Sequence, residues 1–326
     1  MTSNAMHVPC YPDFIDLDIN LKDDLHPRLS LTFDGVSEFT FSGLYLFRKK
    51  YNYRISRNGE EGGFIISGEQ IPQPEQYAPD PSAPHPSAPD NKNVIKKTFF
   101  MTPCAAPDNE TLSSLFASHD YWKNISETVL LPIRENLEKN GIIFEEDRAN
   151  FDYLYYRSEL AELAGKKFHK KKNHVNNFLL SCPNHEQKPL TKDQIPAAEK
   201  ILEQWREDSL RRNGNEGDYI AAKEALDLFD VLTLKGSIYY VDGEPAAYCL
   251  GESLSRGKMF AIHFEKADEK YKGIYQFVNQ SFAASLPRFF TLINREQDLG
   301  SEGLRQSKMT YRPCGFVKKY KGVRHQ

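Results

Sequence analysis

The sequence lacks three features that would fix its class at once: closely spaced cysteines, a long apolar run and a strong net charge. Its five cysteines are scattered, odd in number and contain no C-x-x-C pair. This pattern argues against a disulfide framework or a zinc site and indicates a reducing compartment. No stretch approaches the ~20 apolar residues that cross a bilayer, and residues 1–10 do not have the pattern of a secretory signal. We therefore expect a cytoplasmic protein without a bound metal.

The composition is that of an ordinary globular protein. Hydrophobic residues make up 40% of the chain and charged residues 27%, with a formal net charge of −3. Because the total charge is small and negative, any contact with nucleic acid or an anionic membrane must come from a local basic patch. The 326 residues are enough for two domains of usual size.

A proline-rich segment at about 71–91 interrupts the first half of the chain. It contains Pro-Ser-Ala-Pro-His-Pro-Ser-Ala-Pro and cannot bury a core, so it predicts a solvated insertion. A proline-rich recognition peptide is the functional alternative. Strand-like runs at 63–67 and 97–101 flank the segment, which places the insertion inside a domain.

The remaining sequence alternates helix and strand patterns twice. The first half predicts helices at 39–48, 110–118 and 127–140, a hairpin of 53–56 with 64–66, and a strand at 150–156. The second half predicts helices at 158–180, 191–210, 218–229 and 271–285, and strands at 237–241, 245–250, 258–265, 289–293 and 315–320. This order is typical of the GNAT acyltransferase fold. We therefore predict an α/β (α+β) protein with two tandem GNAT-like domains, 1–155 and 156–326, each a mixed, mainly antiparallel sheet flanked by helices.

A charge cluster, residues 294–308, directly follows the predicted strand at 289–293. Ligands of open α/β sheets bind at the carboxyl ends of strands, so this cluster is the first candidate site. The candidates for proton transfer are Glu296, Asp298, Glu302 and His263. The candidates for binding substrate or phosphate are Asn294, Arg295, Arg305 and Lys308. The structural alternatives are a surface salt-bridge set of little energetic value and a core histidine.

The segment 165–178 is rich in lysine and histidine. Its basic candidates are Lys166, Lys167, Lys170 and Lys171. They form either a solvated helix face or a surface that contacts phosphates of RNA, lipid headgroups or a nucleotide.

A third motif, Lys270-x-x-Gly273-x-Tyr275, lies between a predicted strand and a predicted helix. GNAT enzymes have (Gln/Arg)-x-x-Gly-x-(Gly/Ala) there, and its backbone N–H groups hold the coenzyme A pyrophosphate. Gly273 fits the pattern and is a candidate phosphate-binding residue. Tyr275 departs from it, because a small residue normally lets the phosphate approach.

Three segments together resemble a known family. They are the C-terminal signature N-R-E-Q-D-L-G-x-E-G-L-R-x-x-K-x-x-Y-x-P at 294–313, the basic segment G-K-K-F-H-K-K-x-N-H-x-N-x-F at 165–178, and F-T-F-x-x-L-x-x-F-R at 39–48. They are similar to the phosphatidylglycerol lysyltransferase C-terminal-like domain family, a group of uncharacterised bacterial proteins with tandem GNAT-like domains. The likeness covers nearly the whole chain apart from the proline-rich insertion.

The resemblance implies a class of reaction, the transfer of an acyl or aminoacyl group. Related lysyl-phosphatidylglycerol synthases and the more distant Fem-type transferases move an aminoacyl group from aminoacyl-tRNA to a lipid hydroxyl or a cell-wall amine. By resemblance, Lys308 matches a lysine of the family signature, and Arg305 and Glu302 share its turn. The implied donor is aminoacyl-tRNA or acyl-coenzyme A, and the implied partner of the basic segment is tRNA or an anionic lipid headgroup. The alternatives are an acetyl-coenzyme A-dependent N-acetyltransferase and a non-catalytic binding module.

Overall fold

Two seven-stranded mixed sheets organise the chain. The computed structural model describes residues 8–59, 63–71, 96–103 and 105–325. The predicted proline-rich insertion lies outside the described residues, apart from Ile71. None of the described helices is both long and apolar enough to span a membrane.

The first half of the chain supplies seven strands and five helices to the described structure. In chain order they are β1 (Ile15–Asp16), α1 (Lys22–Leu29), α2 (Phe41–Tyr51), β2 (Arg54–Arg57), β3 (Phe64–Gln70), β4 (Lys97–Met101), α3 (Asn109–Ser118), β5 (Tyr121–Ser126), α4 (Glu127–Leu130), α5 (Arg134–Lys139), β6 (Ile142–Glu146) and β7 (Asp152–Tyr156).

The second half also alternates helices and strands. Its elements are α6 (Arg157–Glu162), α7 (His169–Ser181), β8 (His185–Pro189), α8 (Ile195–Asn213), α9 (Tyr219–Asp227), β9 (Lys235–Val241), β10 (Glu244–Leu254), β11 (Met259–Ala267), α10 (Ile274–Ser285), β12 (Leu292–Asn294), α11 (Glu302–Met309), β13 (Gly315–Val317) and β14 (Lys319–Arg324).

The two halves exchange one strand each. The first sheet has the order β1-β2-β3-β4-β5-β14-β6, and the second has the order β13-β7-β12-β11-β10-β9-β8. Each sheet therefore contains five consecutive strands, then a strand from the other half, then a sixth strand of its own. This confirms the predicted fold class of two tandem GNAT-like sheets with flanking helices. The predicted division at 155 and 156 falls within β7 and stays a prediction.

One strand pair in each sheet is parallel, β4 with β5 and β11 with β12, and the others are antiparallel. The β11–β12 pairing lasts only from Met259–Leu292 to Ala261–Asn294. Opposite β10, the register steps from Leu250–Phe264 to Gly251–Ile262, which leaves His263 as the extra residue of a β-bulge. Bulges often re-aim a side chain beside a functional site. We call the space between the diverging strands the β11–β12 split.

Local sequence explains several of these elements. Asp242 and Gly243 both have positive φ, 51° and 82°, as the two-residue hairpin between β9 and β10 requires. The helix predicted at 127–140 is broken around Pro132, so α4 ends at Leu130 and α5 begins at Arg134.

The helices pack on the sheets in two ways. α10 contacts α6 and α7 beside the second sheet, and α8 and α9 cover its other face. α2 of the first half contacts α9 of the second half, and Leu44 and Leu226 belong to the same buried cluster. One apolar core therefore joins the two halves of the chain.

Candidate functional site at the β11–β12 split

Two ion pairs bridge the β11–β12 split. His263 Nδ1 lies 2.7 Å from Glu296 Oε1, and Arg295 Nη2 lies 3.4 Å from both oxygens of Glu265. His263 and Glu265 come from β11, whereas Arg295 and Glu296 directly follow β12. The split thus brings together the predicted residues His263, Arg295 and Glu296.

His263 is the centre of a chain of three charged groups. Its Nε2 lies 2.9 Å from Glu252 Oε1 on β10, so a carboxylate faces each ring nitrogen. Only 4% of its side chain is exposed, and this burial lowers the pKa of His263; the two carboxylates more than reverse the effect and raise that pKa to about 10. His263 is therefore an imidazolium at neutral pH that donates to both carboxylates, and it cannot act as a neutral base.

Glu296 is the end of this chain that reaches solvent. Its side chain is 24% exposed, compared with 5% for Glu252. The backbone of Glu296 is left-handed, with a φ of 56°, a conformation that is uncommon for a non-glycine residue and is concentrated at functional sites. Of the three groups, Glu296 is therefore the one that a molecule in solvent can reach.

The second ion pair, between Arg295 and Glu265, connects the split to the basic segment. Burial raises the pKa of Glu265, while the charges of Arg295 and Lys308 lower it. With its amide oxygen toward Arg295, Asn279 accepts a hydrogen bond from Nη1 at 2.9 Å. The Tyr311 ring centre lies 5.3 Å from the guanidinium carbon of Arg295 and 4.1 Å from Lys171 Nζ.

Lys171 therefore adjoins the split, although the other predicted lysines do not. Lys166, Lys167 and Lys170 are exposed, and Lys167 Nζ pairs with Glu159 at 2.6 Å. Burial and the neighbouring charge of Arg295 lower the pKa of Lys171. The first lysines of the basic segment are therefore exposed to solvent, and Lys171 is the one that adjoins the split.

Asp298 and Arg305 form a pair beside the split. No part of the Asp298 side chain is exposed, and Arg305 donates to it through Nε at 2.9 Å and Nη2 at 3.0 Å. Burial raises the pKa of Asp298, but hydrogen bonds from Arg305, Tyr153 and the Gly300 N–H outweigh it and lower that pKa. Asp298 is thus an ionised carboxylate that fixes the turn. Glu302 is exposed in the first turn of α11.

Asn294 ties the split to the strand exchanged between the halves. Its Nδ2 donates to Asp152 Oδ2 at 3.2 Å and to the Gly35 carbonyl at 3.0 Å, and its Oδ1 accepts from the Glu296 N–H at 2.7 Å. Asp152, on β7, also accepts from Lys319 Nζ at 2.8 Å on β14. The buried Asn294 therefore orients the backbone on which Glu296 sits.

Gly273 lies in a different place, at the start of α10. It borders a cavity of about 670 Å³ whose other lining residues are His174, Asn177, Leu180, Ser181, Lys272 and Gln276. Its φ is +88°, and a Cβ there would lie 2.3 Å from the His174 carbonyl oxygen of α7. A Cβ at this position would therefore collide with the α7 backbone, so the close packing of α7 against the start of α10 requires glycine. The cavity adjoins the second half of α7 and none of the predicted lysines.

Sequence reasoning missed Glu252, Tyr311 and Asp152. For Glu252 one signal was available, since it is a carboxylate in the otherwise apolar strand that contains residues 246–254. Asp152 accepts hydrogen bonds from residues far away in the sequence, so no local pattern marks it. These residues are Ser37, Asn294 and Lys319.

Residues 31–321 match the family described as phosphatidylglycerol lysyltransferase, C-terminal, and the chain belongs to this family. The chain is also 26% identical over 180 residues to an uncharacterized protein of Mycoplasmoides gallisepticum. That match covers 55% of this chain and 57% of the relative, so the chain spans little more than half the length of this curated relative.

Solved structures share the architecture. A conserved protein of unknown function from Bacteroides thetaiotaomicron is 27% identical with a TM-score of 0.77, covering 96% of this chain and 99% of that one. The C-terminal domain of a proposed lysylphosphatidylglycerol synthetase from Agrobacterium fabrum is 13% identical with a TM-score of 0.57, covering 95% and 93%. FemX is 9% identical with a TM-score of 0.53, covering 96% and 97%. The last two likenesses show a common fold, and the family supports an acyl- or aminoacyl-transferase-like function.

Proposed function

We propose that the protein is a cytoplasmic acyl or aminoacyl transferase whose reaction takes place at the β11–β12 split. The observation that carries the proposal is the chain Glu252–His263–Glu296, which ends in a carboxylate open to solvent. Family membership supports the same reaction class.

In this proposal Glu296 is the general base. An amine or hydroxyl of the acceptor attacks the carbonyl carbon of the donor, and Glu296 takes the proton that the nucleophile loses. The new C–N or C–O bond forms, the bond to the donor's leaving group breaks, and Glu296 returns the proton to that group. The His263 imidazolium holds the Glu296 carboxylate in place through the Nδ1 hydrogen bond.

The proposed donor is an aminoacyl-tRNA. Tyr275 stands where coenzyme A-binding loops have a small residue. This departure opposes a pyrophosphate at this loop. The exposed lysines of the basic segment offer a surface for tRNA or headgroup phosphates, and Lys171 lies where this surface meets the split.

The test is a transfer assay with the purified full chain. Radiolabelled aminoacyl-tRNAs and acyl-coenzyme A donors would be combined with anionic lipid vesicles and with small amines. We expect transfer from at least one aminoacyl-tRNA, and a loss of about 100-fold or more in Glu296→Gln, since general-base catalysis contributes about 10²–10⁴-fold.

The matched control is Glu207→Gln, which changes an exposed carboxylate on α8 and should keep full activity. Transfer from acyl-coenzyme A alone would favour the acetyltransferase alternative. A folded wild-type protein that transfers from no donor would remove the proposal, as would full activity in Glu296→Gln.

A further inference from the structure

Lys308 reaches from α11 into the turn that follows β12. Its Nζ lies 2.6 Å from the carbonyl oxygen of Arg295 and 3.0 Å from that of Glu296, and it also donates to the carbonyl of Gln297. A protonated amine has three N–H donors, so these three carbonyls use all of them. The ammonium group therefore has no N–H left for a substrate phosphate.

The 295–297 turn needs such support. A left-handed backbone is unfavourable for a non-glycine residue such as Glu296 and persists only where the surroundings fix it. Three successive carbonyl oxygens converge on one point, where their partial negative charges repel unless a cation lies between them. The Tyr153 N–H also donates to the Glu296 carbonyl at 3.2 Å, so β7 and α11 hold the turn together.

We propose that Lys308 is a positioning residue whose ammonium group holds the 295–297 turn so that the Glu296 carboxylate stays against His263. Its consequence for catalysis rests on the proposed function, in which Glu296 is the base. The contact it maintains, between Glu296 Oε1 and His263 Nδ1, can be measured without any transfer reaction.

The charge state of Lys308 depends on its burial and on the neighbouring charges of Arg295, Glu296, Asp152, Asp298 and Glu265. Burial and the charge of Arg295 lower the pKa of Lys308 to about 8, against the opposing effects of Glu296, Asp152 and Asp298. The Tyr153 ring centre lies 5.5 Å from Nζ. Above pH 8 the amine is neutral and has two N–H groups for three carbonyls, so the turn should loosen as the pH rises through 8.

The experiment follows His263 by NMR in the full chain labelled with ¹⁵N-histidine, and His263→Gln assigns its signals. Lys308→Met removes the ammonium at similar side-chain length. We expect the pKa of His263 to fall by about 1–3 units, because a carboxylate partner is lost from Nδ1. The matched control, Lys139→Met, removes an exposed lysine paired with Glu135 on α5 and should leave the titration unchanged. A folded Lys308→Met with the wild-type titration would overturn the inference.

A second measurement needs no variant, in case Lys308→Met does not fold. In the wild type, solvent exchange of the His263 Nδ1 proton should accelerate between pH 7 and 9 more than that of the Nε2 proton, which faces Glu252. Equal protection of the two protons across this range would contradict the proposal. The proposed function can fail while this inference holds. In that case the wild type would transfer no acyl group, but the pKa of His263 would still be lower in Lys308→Met.

Discussion

At the scale of single residues, buried charges shape the site through complete hydrogen bonding. Asp298 has no exposed surface, yet it accepts hydrogen bonds from Arg305, Arg148, Tyr153 and the Gly300 N–H. A buried carboxylate is tolerated only with such partners, and removing one member leaves the others unpaired. Asp298 therefore stabilises the turn between β12 and α11 and indirectly the position of Glu296.

Replacing Asp298 by Asn tests this role. The substitution keeps the side-chain shape but removes the charge and turns an NH₂ group toward donors. We expect the free energy of unfolding to fall by about 2–3 kcal/mol, the size of hydrogen bonds to charged groups. The loss is no larger because Arg148 and Arg305 are partly exposed and water can solvate them. Urea unfolding measures it, with Asp193→Asn, an exposed aspartate, as the control. An unchanged urea midpoint would contradict the role.

The same variant predicts a pH dependence with a definite sign. The pKa of Asp298 is lower in the folded state than its ordinary value of 3.8, so its stabilisation is present above that value. It is lost progressively as the pH falls from about 4, where the unfolded chain takes up the proton, through the lower pKa of the folded state. The stability difference between wild type and Asp298→Asn should therefore shrink from pH 6 to pH 3. A difference that stays constant to pH 3 would show that the charge is not responsible.

Sequence reasoning could select much of this charge cluster because its members are close together in the sequence. Five charged residues follow β12 in the sequence, and the structure gathers them around one turn. They are Arg295, Glu296, Asp298, Arg305 and Lys308. Their roles could not be read in the same way, because burial and hydrogen-bond partners decide which carboxylate can exchange protons. His263 shows this: its partner Glu252 comes from the neighbouring strand through a bulge that no local pattern marks.

At the scale of elements, periodicity predicted the amphipathic helices and the hairpins but missed some elements. All six residues of β5, Tyr121–Ser126, are buried, including Lys123 and Asn124, so the strand does not alternate apolar and polar residues. α11 lies in the segment that the sequence predicts as a turn. Its residues are mostly polar and none is buried, so no apolar periodicity marks the helix. Its start is nevertheless marked by Ser301, whose side chain caps the Leu304 N–H.

The basic segment is the element with a direct test for nucleic-acid contact. The variant replaces three exposed lysines by Gln: Lys166, Lys167 and Lys170. If they contact tRNA phosphates, each contact releases counterions and contributes about 0.7–0.9 to the slope of log K against log salt. We expect weaker tRNA binding and a slope smaller by about 2–3, measured by filter binding between 50 and 200 mM salt.

The control for this variant removes the same charge elsewhere on the second half. It replaces the exposed lysines Lys192, Lys200 and Lys235 by Gln. An equal loss of affinity in the two triple variants would indicate a general charge effect, and an unchanged salt slope in the first would remove the basic segment from the tRNA surface. Binding of anionic vesicles in place of tRNA would assign the surface to a lipid headgroup.

At the scale of the whole molecule, the exchanged strands make the two halves depend on each other. β14 lies between β5 and β6, and β7 lies between β12 and β13, so each half completes the other's sheet. Buried Lys319 on β14 pairs with Glu38 and with Asp152 on β7, which adds an ionic link. Local sequence patterns could not show this exchange, because the pairing joins segments far apart in the chain.

Two fragments that differ only in β7 test this dependence. Fragment 156–326 lacks most of β7, so β12 and β13 lose the strand between them, whereas fragment 151–326 keeps that strand. We expect 156–326 to be unfolded alone by circular dichroism and tryptophan fluorescence, since an interrupted sheet leaves buried backbone groups without partners. Fragment 151–326 should retain a cooperative transition, and mixing 156–326 with 1–155 should restore one, because together they supply every strand of both sheets. If 156–326 unfolds as cooperatively and at the same urea concentration as 151–326, the exchanged strand does not join the two halves energetically.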